Sequence, residues 1–139
     1  MGRVLSIDYG VRRTGLAVTD PLQIIAGGLT TVPTPQLMDF IKKYVASERV
    51  ERFVFGLPKQ TNGRDSDDWP RVMAFADRLK KQFPHIPLDM WDERYTSVLA
   101  HQTMLEGGLG KMARRNKALV DEISAVIILQ GWMDRRKGI

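Results

Sequence analysis

Hydrophobic period changes once in the N-terminal third of this chain, and that change sets the class of fold. Val4–Tyr9 reads as a short buried strand, Gly10–Thr14 as a turn, and Gly15–Thr19 as a second strand running back beside the first. Ala26–Val32 supplies a third strand, so the chain opens as an antiparallel meander. Leu37, Phe40, Ile41, Tyr44 and Val45 then recur at the i, i+3, i+4, i+7, i+8 spacing of an amphipathic helix. Arg52–Gly56 is a fourth strand stopped by Leu57-Pro58, and Val72, Phe75, Ala76 and Leu79 form a second helical face that ends near Pro84. Ile86–Trp91 is the fifth strand. Thr96 or Ser97 then caps a helix through Leu105, terminated by Gly107-Gly108, and Lys117–Met133 is apolar almost all round, which predicts the most buried helix. The expectation is an α/β fold: a mixed five-stranded sheet with an antiparallel N-terminal meander, flanked by helices.

A length of 139 residues fits a single domain spanning 1–139, large enough for a real core. The hydrophobic fraction of 43% and charged fraction of 27% are those of a globular protein, and no apolar run approaches the ~20 residues that cross a bilayer. MGRVLSIDYG passes straight into a strand pattern without a signal-peptide core. With no Cys there is neither a disulfide framework nor a thiolate metal site, so a cytoplasmic location is expected. The two histidines, His85 and His101, lie in no metal-ligand or catalytic-dyad spacing, which argues against thiol and histidine catalysis.

Acidic residues carry the chemical signal. Asp8 closes an apolar strand before a glycine turn, the place where α/β sheets usually put their chemistry. It also fits an Asx-type turn that accepts the Gly10 or Val11 N–H. Asp92 and Glu93 follow the fifth strand, and pleat alternation lets only one of them join a given cluster. Asp121 sits in the first turns of the most apolar helix, where an unpaired charge is costly and the helix dipole returns only ~0.3–1 kcal/mol. Three such carboxylates brought together hold a divalent metal against a phosphate backbone.

The net charge of +5 favours a polyanionic partner. Lys111, Arg114, Arg115 and Lys117 stand without an acid in the stretch 107–117, the best place for a nucleic-acid clamp, and Arg135–Lys137 adds a second basic run. Arg12 and Arg13, between Gly10 and Gly15, would face the strand ends and contact phosphates; Lys59 and Arg64 lie in a polar segment with an Asn62-Gly63 turn signal; Arg94 either pairs an acid or joins these contacts. Trp91 and Trp132 read as core, while Trp69 is open to either role.

These residues resemble the YqgF family of RNase H-like nucleases. IDYGVRRTGLAVTD is similar to that family's first motif, GLPKQTNG at Gly56–Gly63 to its second, DERYTS at Asp92–Ser97 to its third, and KALVDEISAVIILQ to its last, in order and at suitable spacing. Ser6 and Ser124 depart from it, and neither is an acid. The resemblance implies an RNase H-like nuclease with Asp8, Glu93 and Asp121 as catalytic, metal-binding carboxylates for Mg²⁺ or Mn²⁺, and Asp92 in reserve for the second position. It also implies processing of pre-16S ribosomal RNA and contact with a pre-ribosomal particle; one short domain with one cluster and no legible dimer interface gives the further expectation of a monomer or weak homodimer. Two other activities share parts of this pattern: resolution of four-way DNA junctions, and the phosphate loop of actin-like ATPases, which need a second lobe that 139 residues do not provide. A non-catalytic RNA-binding module is the reading from another class.

Overall fold

The computed structural model describes residues 2–57, 69–92 and 117–136. Five strands form one sheet: β1 (Arg3–Asp8), β2 (Arg13–Thr19), β3 (Ala26–Pro33), β4 (Val50–Leu57) and β5 (Leu88–Asp92), in the order β3-β2-β1-β4-β5. β1, β2 and β3 are the antiparallel meander, and β4 and β5 continue the sheet parallel to β1. The helices are α1 (Leu37–Ser47), α2 (Trp69–Gln82) and α3 (Lys117–Arg136). This is the mixed five-stranded α/β architecture that the periodicity predicts.

Pleat alternation divides the core into two layers. Leu5, Ile7, Leu16, Phe53 and Phe55 point to one face and pack with Leu37 and Ile41 of α1 and Val72, Phe75, Ala76 and Leu79 of α2. Val4, Ala17 and Val54 point to the other face and meet Ala125, Ile128, Leu129 and Met133 of α3. Strands β1 and β4 are covered on both sides, which is why they read as continuous apolar runs. Tyr9, just past β1, packs its ring in tilted contact 5.3 Å from Phe75 and 6.1 Å from Phe55, so it anchors the strand exit on the α1–α2 side.

Helix α3 buries a stripe and not its whole circumference. Ile123, Val126 and Ile127 are half-buried on its flanks, and among residues 121–136 only Gln130, Arg135 and Arg136 are exposed. Ser6, fully buried in β1, donates its hydroxyl to the Ala125 carbonyl at 2.7 Å and fixes the helix over the middle of the sheet. At its far end Gly131 lies on the Trp91 ring and Trp132 Nε1 donates to Asp89 at 2.9 Å, both on β5. Helix α3 therefore crosses the sheet diagonally, from β2 and β3 at its N-terminal end to β5 at its C-terminal end. No described helix is long and apolar enough to cross a membrane.

Candidate active site

Asp8 ends β1 and shares the parity of Val4 and Ser6, the residues that face α3. From Ser6 to Asp8 the strand advances ~6.6 Å. From Ala125 back to Asp121 the helix retreats ~6 Å. Since Ser6 and Ala125 are bonded and α3 runs back toward the C-terminal end of β1 while it crosses toward β2, Asp121 arrives level with Asp8 and one strand to its side.

Gly15 supports this placement independently. It is the register partner of Asp8 in the β1–β2 ladder. A Cβ built on it would collide with the Asp121 carbonyl oxygen and carbon, and would come within 2.9 Å of the Glu122 amide nitrogen. The first turns of α3 thus lie directly on the Gly15 backbone, and any side chain there would lift Asp121 away from β1. The glycine spacing that reads as a tight turn at Gly10 serves at Gly15 as a seat for the last helix.

Arg13 has a partner inside the protein. Its Nε donates to Asp121 Oδ2 at 2.9 Å, and the two side chains keep 38% and 27% of their exposure. The expectation of a buried carboxylate at position 121 is corrected in this respect: Asp121 is half-buried and already paired with a guanidinium. In the same exit turn the Gly10 N–H is directed at Thr14 Oγ1, at 3.5 Å. Thr34 Oγ1 donates to the Gly10 carbonyl at 2.5 Å and meets Thr14 Oγ1 at 2.9 Å. Hydroxyls from β2 and the segment after β3 therefore shape the loop that carries Arg12, whose side chain is exposed.

Asp8 and Asp121 both adjoin Gly15 at the C-terminal end of β1, with Arg13 bonded to Asp121 and Arg12 exposed in the adjoining turn. Asp92 closes β5 and Lys117 opens α3. Glu93, Lys59, Arg64, Arg94, Lys111, Arg114 and Arg115 lie outside the described residues. Among the described residues no three His, Asp or Glu side chains come together as a metal cage. The linkage of Arg13 to Asp121 had no sequence signal, because the two are 108 positions apart and no local spacing rule connects them.

Comparison with known proteins places this geometry in a family. The RuvX profile, described as Holliday junction resolvase, matches residues 2–135. A Phocaeicola vulgatus protein named "Putative pre-16S rRNA nuclease" is 60% identical over 139 residues, covering all of both chains. A Porphyromonas gingivalis protein of the same name is 60% identical over 134 residues, covering 96% of this chain and 97% of that one. Among solved structures, Thermus thermophilus RuvC with a Holliday junction substrate aligns with a TM-score of 0.59 at 18% identity, covering 99% of this chain and 97% of that one. The fowlpox virus resolvase with Holliday junction DNA aligns with a TM-score of 0.60 at 8% identity, covering 96% and 98%. At those identities the structures speak for the fold alone, an RNase H-like α/β sheet. With residues 2–135 matched and full-length relatives at 60% identity, the chain belongs to the RuvX family, the YqgF family of nucleases that its sequence resembles.

Proposed function

We propose that the protein is a metal-dependent nuclease that processes the 5′ end of pre-16S ribosomal RNA. The observation that carries the chemistry is the convergence of Asp8 and Asp121 across Gly15, which sets two carboxylates at one strand end beside two arginines. The substrate follows from full-length relatives at 60% identity that bear that name. Resolution of DNA junctions is the second reading, favoured by the family's description as a Holliday junction resolvase.

The donor set fits a hard divalent cation, which prefers oxygen ligands and keeps several waters. Asp8, Glu93 and Asp121 would hold Mg²⁺ or Mn²⁺. On β5 the residues facing α3 are Asp89 and Trp91, the odd-numbered ones, while Leu88 and Met90 pack with the α1–α2 core. That parity supports Glu93 over Asp92 as the second carboxylate. When bound, the metal supplies activation of a water and stabilisation of the leaving oxygen. The protein's own groups do the rest. Arg13 fixes one oxygen of Asp121 by a charge-assisted bond and so orients the other. Arg12, exposed on the same turn, is placed to take a phosphate of the incoming strand, with Lys59, Arg64, Arg94, Lys111, Arg114, Arg115 and Lys117 as further backbone contacts. Phosphate contacts position a strand without reading its sequence. RNA shape or a pre-ribosomal particle must then select the cleavage site.

The test is a side-by-side assay of a pre-16S RNA fragment and a synthetic four-way junction with Mg²⁺ or Mn²⁺ and an Asp8→Asn control. We expect metal-dependent cleavage of the RNA, lost in the variant. Symmetric, ligatable cleavage of the junction beside inert RNA selects the resolvase reading, and cleavage that persists in Asp8→Asn refutes the metal site.

A further inference from the structure

Helix α3 carries a second concentration of charge at the end of the sheet away from Asp8, and the cleavage site does not use it. Arg52 near the start of β4 and Asp89 near the start of β5 meet Trp132, Arg135 and Arg136 there, and the five residues line an open cleft of 280 Å³. Its wall is held by internal bonds. Arg52 Nη1 donates to both oxygens of Asp89 at 3.0 Å, and Trp132 Nε1 donates to one of them at 2.9 Å. The guanidinium carbons of Arg52 and Arg136 lie 5.9 and 5.2 Å from the Trp132 ring centre. The indole therefore serves as a platform for guanidinium groups and is engaged on its ring by them, which disfavours it as a stacking surface for a base.

Charge balance in the cleft is positive. Asp89 compensates Arg52, which leaves Arg135 and Arg136, both exposed, without a carboxylate partner among the described residues. Among the described residues Arg136 donates to Gln23 Oε1 at 3.3 Å, a long bond that leaves donors of its fork over. Two acids stand outside the cleft lining and keep their charge: Asp134 accepts from the Gln130 amide at 2.9 Å, and Glu51, which accepts the Gly2 N–H at 3.0 Å, also feels the charge of Arg136. Guanidinium forks held in place by an aromatic ring suit the paired oxygens of a phosphodiester.

We propose that Arg135 and Arg136, on the scaffold of Arg52, Asp89 and Trp132, form a second contact for the nucleic-acid backbone, remote from the cleavage site. The identity of the ligand rests on the nuclease reading above; the contact itself rests on the cleft. Fourteen helical residues separate Asp121 from Arg135, ~21 Å of helix rise. That length corresponds to roughly 6 base-pair steps of B-form duplex, and to somewhat more in the shorter rise of an A-form RNA stem. The site thus measures substrate: an arm long enough to span α3 gains the contact, and a shorter one does not. The exposed Leu22, Ile24 and Ile25 stand in the neighbouring β2–β3 turn, outside the cleft lining.

The experiment compares Arg135→Ala/Arg136→Ala with wild type on two RNA hairpins, one with a stem of a dozen or more pairs and one cut to about four. Equilibrium binding is measured across a salt series in EDTA, with thermal melting to verify the fold. We expect the double variant to lose on the order of tenfold in affinity for the long stem, and to flatten its log-log salt slope by up to ~1.8 for two lost phosphate contacts. Binding of the short stem and cleavage of it in Mg²⁺ should be unchanged. Equal affinity and slope of variant and wild type on the long stem overturn the proposal and leave the cleft, beside its exposed apolar turn, as a surface for a protein partner. Wild-type protein that binds neither hairpin overturns the nuclease reading together with this one, whereas wild-type cleavage with no length effect overturns this one alone.

Discussion

Substituting Gly15 by Ala should damage stability and cleavage together, because one atom separates the two. The added Cβ would stand closer to the Asp121 carbonyl than real Cβ atoms approach any neighbour, and that neighbour is backbone, which cannot swing aside. To restore ordinary contact, α3 must withdraw from β2 by more than ~1 Å. Overpacking of this kind costs about 1–3 kcal/mol. At about 3–5 °C per kcal/mol for a domain of this size, the melting temperature should fall by roughly 3–15 °C. Displacement of a catalytic group by ~1 Å can remove about 100-fold of rate, so cleavage by the folded fraction should drop on that order. Gly27 is the internal control. A Cβ there meets nothing within 4 Å, and Gly27→Ala should be neutral or up to ~1 kcal/mol more stable through lost backbone freedom. Calorimetric melting and single-turnover cleavage below both melting points measure the two effects. A Gly15→Ala protein that melts with the wild type and cuts at its rate would refute the seating of α3 on β2.

Asp8→Asn, Glu93→Gln and Asp121→Asn should each abolish cleavage with the fold retained; Asp121→Asn also gives up the half-exposed Arg13 pair, at no more than ~1 kcal/mol. Mg²⁺ or Mn²⁺ should raise the wild-type melting temperature, by ~1.4 kcal/mol of stability per decade of concentration above its dissociation constant, and a flat response in calorimetry would refute a formed site. Replacing Lys111, Arg114, Arg115 and Lys117 by Ala should lower the salt slope of binding by ~0.7 per contact on single strands or ~0.9 on duplex and leave turnover of bound substrate intact. Ser6→Ala removes a fully buried hydroxyl bond to α3 and should cost about 0.5–1.5 kcal/mol in chemical denaturation. The Asp20 carboxyl is held below the ordinary carboxylate range, chiefly by the Ile25 N–H and then by those of Ile24 and Leu22. A lowered folded pKa means that its contribution is present above the unfolded value and fades as pH falls through the folded one. An Asp20→Ala chain should lose that acid-side component in a pH series of melts, and an unchanged acid limb would refute it.

Strands and helices were legible because each face is written in local period. Their ends were less so, for physical reasons. β2 begins at Arg13, two residues before the apolar pattern, because Arg13 and Thr14 still pair with Pro33 and Val32 of β3. β5 begins at Leu88 and not Ile86, because Ile86 is buried in the preceding turn with its N–H on the Phe83 carbonyl at 3.1 Å. Asp8 was legible as a strand-end acid, and Asp121 as a carboxylate on an apolar helix. What no spacing rule supplies is the partnership of distant charges: Arg13 with Asp121, or Arg52 with Asp89 beneath Trp132. Trp132 read as core and does pack against the α3-side cluster, while its polar edge and ring also serve a charged cleft.

The diagonal helix also has a bearing on how the protein is made. Ser6 and Ala125, which touch in the finished molecule, are separated by 119 positions, so the sheet's first strand emerges from synthesis long before its cover. At roughly 5–20 residues per second, several seconds pass in which β1, β2 and β3 exist with the α3 face bare. During that interval Asp8 has no Asp121 beside it. On the proposed role of these two acids, hydrolytic competence arises only once α3 has been made, and a nascent copy, or one clipped ahead of α3, is expected to leave RNA uncut.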